Sequence, residues 1–67
     1  MPIVHVYVWK GFSSEAKKKV IKGITQLFAE LGVPAEAVEV LIHEISKEDW
    51  GVGGEPASEK LKHVKPP

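Results

Sequence analysis

The chain opens on Ile3-Val4-His5-Val6-Tyr7-Val8-Trp9, a nearly unbroken β-branched and aromatic run, and such residues favour extended, pleated backbone. Val4, Val6 and Val8 line one face of the predicted strand; Ile3, His5, Tyr7 and Trp9 line the other. Neither face is polar, so both are expected to be covered, as in a parallel sheet or at a subunit interface. Lys10-Gly11 breaks the pattern. The period then changes. Ser13 or Ser14 caps a helix, with Glu15 in its first turn favoured by the helix dipole. Ala16, Val20, Ile24, Leu27, Phe28 and Leu31 follow at spacings of three and four, with Ile21 beside them, which predicts one apolar stripe on a helix running to about Leu31. Lys17, Lys18, Lys19, Lys22, Gln26 and Glu30 read as its solvated face. Gly32 stands at the usual stop position, and Pro34 prevents continuation.

Ala35-Glu36-Ala37 is a short connection, and Val38 to Ile45 reads as a second strand. Strand, helix and strand within about forty residues make a β-α-β unit with parallel strands. Ser46 to Asp49 is polar, and Trp50-Gly51-Val52-Gly53-Gly54 reads as a turn or short hairpin. The remaining segment, Glu55 to Pro67, is charged, ends in Pro66-Pro67, and is expected to be poorly ordered unless a neighbour holds it. The fold class is therefore α+β: a β-α-β subunit with a short C-terminal hairpin, one domain over residues 1–59 and a charged, proline-ended tail over 60–67. One helix covers one face of two strands. The other face needs a partner, so the chain is expected to self-associate through its sheet.

Length sharpens this expectation. Sixty-seven residues form one small domain with a marginal core of its own, and with no cysteine neither a disulfide nor a thiolate metal site can make up the deficit. A 43% hydrophobic fraction is too rich for a disordered chain. No apolar run approaches the ~20 residues that cross a bilayer, and no signal peptide is recognisable, so a cytoplasmic chain without a membrane is expected. Nine acidic residues balance nine basic ones, which argues against nucleic-acid binding by bulk charge. All nine basic residues are lysines.

Most candidate chemistry is weak. Gly51-Val52-Gly53-Gly54 does not fit a dinucleotide fingerprint, because position 56 is Pro56 and no P-loop lysine-serine pair follows. His5, His43 and His63 share no i, i+3 or i, i+4 spacing, so structural or interface roles are expected and no metal site. The serines have no hydrolase pattern around them. Pro2 is different. Initiator methionine is commonly removed before a small residue, and removal of Met1 would expose a secondary amine at the head of a covered strand. Apolar surroundings disfavour its protonated form, leaving a base suited to proton abstraction beside a carbonyl.

Pro2-Ile3-Val4 opening a strand, a β-α-β unit of this length, and Trp50-Gly51-Val52-Gly53-Gly54 at the right separation together resemble the 4-oxalocrotonate tautomerase family, over residues 2 to about 59. The resemblance implies small subunits that pair into a four-stranded sheet and assemble as hexamers, a trimer of dimers. It implies an isomerase in which the amino-terminal proline, here Pro2, is the general base of an enol–keto tautomerisation, with no metal and no organic cofactor. Trp50 would form part of the apolar pocket wall, with Trp9 nearby. The family's two arginines have no counterpart: one position, just after the first strand, falls at Phe12, and the other, in the second strand, falls at Glu39. Lysine cannot reproduce the two parallel hydrogen bonds of a guanidinium to a carboxylate. Lys10 is a possible cationic contact and Lys47 another, although both read as solvated rim residues. Phe12 makes the pocket mouth apolar, and Glu39, if it faces the site, repels a dicarboxylate. A monocarboxylate or aromatic enol such as phenylenolpyruvate is therefore expected to suit the pocket better than 2-hydroxymuconate. Two other readings stand beside this one: a hydratase or dehalogenase on the same scaffold, with Glu39 activating water, and a non-enzymatic family member.

Overall fold

The computed structural model describes all 67 residues. Seven residues, Ile3–Trp9, form strand β1, and Glu39–Ile45 form β2. The two pair in parallel with no slip, from Ile3 opposite Glu39 to Trp9 opposite Ile45. Main-chain bonds carry the ladder one step past each end: Glu39 N donates to Pro2 O at 3.0 Å, and Lys10 N donates to Ile45 O at 3.0 Å. The polypeptide before β1 is thereby fixed in direction, which matters for Pro2.

Helix α1 spans Ser14–Glu30. Of the two candidate caps it is Ser13 that serves, its side-chain oxygen accepting from Ala16 N at 3.0 Å. The helix stops where Gly32 takes a φ of 93°, which a side chain would resist. Lys17 of α1 reaches Glu44 of β2 at 3.0 Å. Glu44 stands opposite Val8, so this ion pair identifies the row Val4, Val6 and Val8 as the face that the helix covers. Ala16, Val20, Ile24 and Phe28 are half-buried, whereas Ile21, Leu27 and Leu31 stay exposed, Leu31 at 73%. The apolar stripe is wider than two strands can cover.

After β2 a 3₁₀ turn over Lys47–Asp49 leads into a hairpin of β3 (Gly51–Val52) and β4 (Glu55–Pro56). Gly53 and Gly54 both have positive φ, 61° and 89°, as a two-residue hairpin turn of this hand requires. A short helix α2, Ala57–Lys60, follows, and Ala57 N donates to Trp50 O at 2.7 Å. The remaining residues are not a loose tail. They fold back across the end of β1, and Ser13 N donates to Pro67 O at 2.9 Å. The segment expected to need a neighbour makes contacts within its own chain, where the Lys47 ammonium donates to the Leu61 and Val64 carbonyls.

Ala57 is the single fully buried residue. The accessible surface is 4946 Å², against roughly 4,200 Å² for a compact monomer of this mass. The radius of gyration, 14.5 Å, likewise exceeds the ~11 Å of a compact 67-residue domain. Ile3 and Tyr7, each 56% exposed, and Leu41, 40% exposed, lie with the histidines on the uncovered sheet face. No helix is long and apolar enough to cross a membrane.

Candidate active site

Residues singled out from the sequence divide between the two ends of β1. Pro2 stands at its head, half-buried, with its carbonyl held by Glu39 N. Glu39 opens β2 beside it on the uncovered face of the sheet, and its side chain is exposed. At the far end, seven residues and about 23 Å away, Trp9, Phe12 and Trp50 come together. Trp9 and Trp50 meet edge to face with ring centroids 6.0 Å apart, an arrangement favoured by the aromatic quadrupoles. With Phe12 and the returning segment Val64–Pro67 they line an open cavity of about 300 Å³. Within one chain Pro2 and the Trp9–Trp50 pair therefore lie apart, at opposite ends of β1.

The two rim lysines differ in fate. Lys10 has its side chain in solvent and no ionic partner. Lys47 is no solvated rim residue. Its ammonium donates to Leu61 O at 2.7 Å and also to Val64 O, while resting 4.6 Å from the centre of the Trp9 ring. Three donors on one flexible stem suit this task, and the aromatic face adds a cation–π attraction. Gly11 permits the approach from the other side: its φ is 101°, and a Cβ placed there would lie 3.3 Å from Pro66 Cγ. The Trp9 indole nitrogen is buried with no hydrogen-bond partner.

Sequence spacing did not bring the histidines together, but the parallel register does. His5 Nδ1 and His43 Nε2 are 2.8 Å apart, so one ring must donate and the other accept. The His43 ring lies nearly parallel to both neighbours, with centroids 5.1 Å from His5 and 4.6 Å from Tyr7. This ladder lies on the uncovered sheet face. His63 takes no part in it, and no three histidine or carboxylate side chains converge.

Lys65 escaped the sequence reading altogether. It lines the cavity and has no ionic partner. Its signal is non-local, because nothing about a charged, proline-ended tail says where that tail will lie.

The family described as "Tautomerase enzyme" matches residues 2–60. The chain is 42% identical to the 2-hydroxymuconate tautomerase of Comamonas testosteroni over 60 residues, 88% of this chain and 95% of that protein. Among solved structures it is similar to TomN, a 4-oxalocrotonate tautomerase homologue of the tomaymycin biosynthetic pathway. The TM-score is 0.86 at 32% identity, covering 91% of this chain and 95% of the other. A heterohexameric 4-oxalocrotonate tautomerase from Chloroflexus aurantiacus also aligns, with a TM-score of 0.80 at 27% identity over 88% and 97% of the two chains.

Proposed function

The chain belongs to the tautomerase family, and from that premise we propose that it is an enol–keto tautomerase whose general base is the Pro2 nitrogen, freed by removal of Met1. The observation that carries the proposal is the position of Pro2 at the head of β1, with its carbonyl hydrogen-bonded to Glu39 N so that the imino nitrogen has a fixed bearing. In neutral form that nitrogen accepts the enol O–H proton. The oxygen's electrons form the C=O bond, the C=C electrons take a proton at the adjacent carbon from the resulting prolinium, and the base is regenerated. One proton changes place, nothing is oxidised, and no metal or organic cofactor takes part in the scheme.

The length of β1, about 23 Å from Pro2 to Trp9, calls for a neighbour. Strands paired antiparallel across a two-fold axis set the head of one β1 beside the tail of another, so that Pro2 of one protomer faces the Trp9–Phe12–Trp50 wall of a second. The surplus surface of the lone chain and the similarity to a heterohexamer support such an assembly, which we take to be a hexamer built from dimers.

The substrate follows from what the site lacks. No arginine is present to grip two carboxylates, Phe12 and two tryptophans offer apolar surface, and the exposed Glu39 beside Pro2 disfavours a second negative charge. A like charge at such a site costs on the order of 1 kcal/mol, about fivefold to tenfold in affinity. The protein is thus expected to ketonise phenylenolpyruvate with a kcat/KM at least about tenfold above that for 2-hydroxymuconate. Ultraviolet assays on protein whose intact mass proves Met1 absent will show it. Equal or better use of the dicarboxylate refutes this substrate assignment.

A further inference from the structure

The cavity at the end of β1 is closed on one side by a segment that looked expendable. Val64–Pro67 forms that wall, anchored at three points: Lys47 on the carbonyls of Leu61 and Val64, Pro66 against Gly11, and Pro67 O on Ser13 N. The wall is otherwise apolar and carries one cation. Lys65 is the single charged side chain lining the cavity, and it forms no ion pair. Lys47, the other cation near the aromatic pair, has its ammonium engaged by main-chain oxygens. Lys10 lies outside the lining.

We propose that the C-terminal strap is the carboxylate-recognition element of the site: Lys65 binds the one carboxylate of an aryl enolpyruvate whose ring rests among Trp9, Phe12 and Trp50, and Lys47 is the positioning residue that holds the strap over it. This deepens the tautomerase reading and rests on it. An ammonium is a compact point charge, able to bind one carboxylate without the paired geometry that a guanidinium imposes. Its placement on a strap rather than on β1 or β2 explains how a chain with no arginine can hold an acidic substrate. One cation and an apolar wall select one carboxylate and one ring.

The test uses full-length assembled protein free of Met1. Binding of 3-phenylpropionate, an unreactive monocarboxylate, is followed by quenching of the Trp9 and Trp50 fluorescence. KM and kcat are measured with phenylenolpyruvate. Lys65→Met keeps the stem and loses the charge, and is expected to raise both Kd and KM about fivefold to tenfold, the effect of one charge-assisted contact. Its kcat stays within about twofold, since binding lost equally from ground and transition states leaves the chemical step alone. Lys65→Arg restores both constants. Salt weakens binding to the wild type more than to Lys65→Met, and the uncharged 3-phenylpropanol binds all three proteins alike. Lys47→Met, with the strap unclamped, raises KM in the same sense, and Lys47→Arg recovers part of it. Unchanged Kd and KM in Lys65→Met overturn the proposal. So does a Kd that responds while KM does not, because the carboxylate would then bind away from the reacting centre. Failure of the proline mechanism is a separate result: turnover would survive blocking of the Pro2 nitrogen whatever Lys65 does.

Discussion

Protein that retains Met1 is expected to lose tautomerase activity by about 10²–10⁴-fold, the usual contribution of a positioned general base and equivalent to about 3–5 kcal/mol of barrier. The cause is a single bond. With Met1 attached, the Pro2 nitrogen is a tertiary amide whose lone pair is delocalised into the carbonyl, and it can neither take nor return a proton. Pro2→Ala in processed protein is the softer form of the experiment, since it leaves a primary amine at nearly the same place and should fall toward the lower end of that range. KM should change little in either, because the ring and carboxylate contacts lie at the other end of a neighbouring β1. The pH dependence separates this chemistry from its competitor. A neutral proline base loses rate as the pH falls and the amine protonates, whereas a hydratase using prolinium as acid and Glu39 as base loses rate as the pH rises. Equal turnover by Met1-retaining and processed protein would eliminate Pro2 as the base.

The second large effect is expected on assembly. Leu41→Lys changes a residue that is 40% exposed in the isolated chain, where such a substitution ordinarily costs no more than about 0.5 kcal/mol. On the uncovered sheet face beside Ile3 and Tyr7, the same lysine must be desolvated whenever a second copy packs there, at a cost of several kcal/mol. A chain with one fully buried residue has little stability to fall back on. Sedimentation should therefore show wild-type oligomers and dissociated Leu41→Lys. The melting temperature should drop by more than about 10 °C and depend on protein concentration. Glu36→Lys, a charge reversal on the exposed turn after α1, serves as the control and should leave both unchanged. A monomeric Leu41→Lys that melts with the wild type would show that the lone chain is stable and that its sheet face needs no cover.

How much of this was legible depended on whether the signal was local. Strand β1 was readable because its residues are branched or aromatic at every position, and α1 because a serine cap, a four-residue apolar period and a Gly-x-Pro stop all agree. Pro2 stands out by chemistry, as an imino acid next to a removable methionine, and the structure places it at the head of β1. What stayed hidden depends on contacts distant along the chain. The His5–His43 bond spans 38 positions and exists only in the unslipped parallel register. Lys47 reads as a polar turn residue until Leu61 and Val64 are laid over it. The strap lacks any periodicity, and prolines that suggest a frayed end instead line the cavity together with Trp9, Phe12 and Trp50. Ile21, Leu27 and Leu31 read as part of one apolar stripe, but how much of that stripe two strands can cover is not written locally, and all three stay exposed.

Pro2 and the Trp9–Trp50 pair stand at opposite ends of β1, and in the proposed assembly this divides the labour of a site between genes as well as between protomers. A duplicated copy of such a chain is free to lose its proline while its sister keeps one, or to reshape its tryptophan wall while its sister's remains. Each copy then constrains the other's sequence without touching the same atoms of substrate. Selection on such a pair acts on the ring that they close together, and a mutation in one gene is read out in chemistry begun by the other.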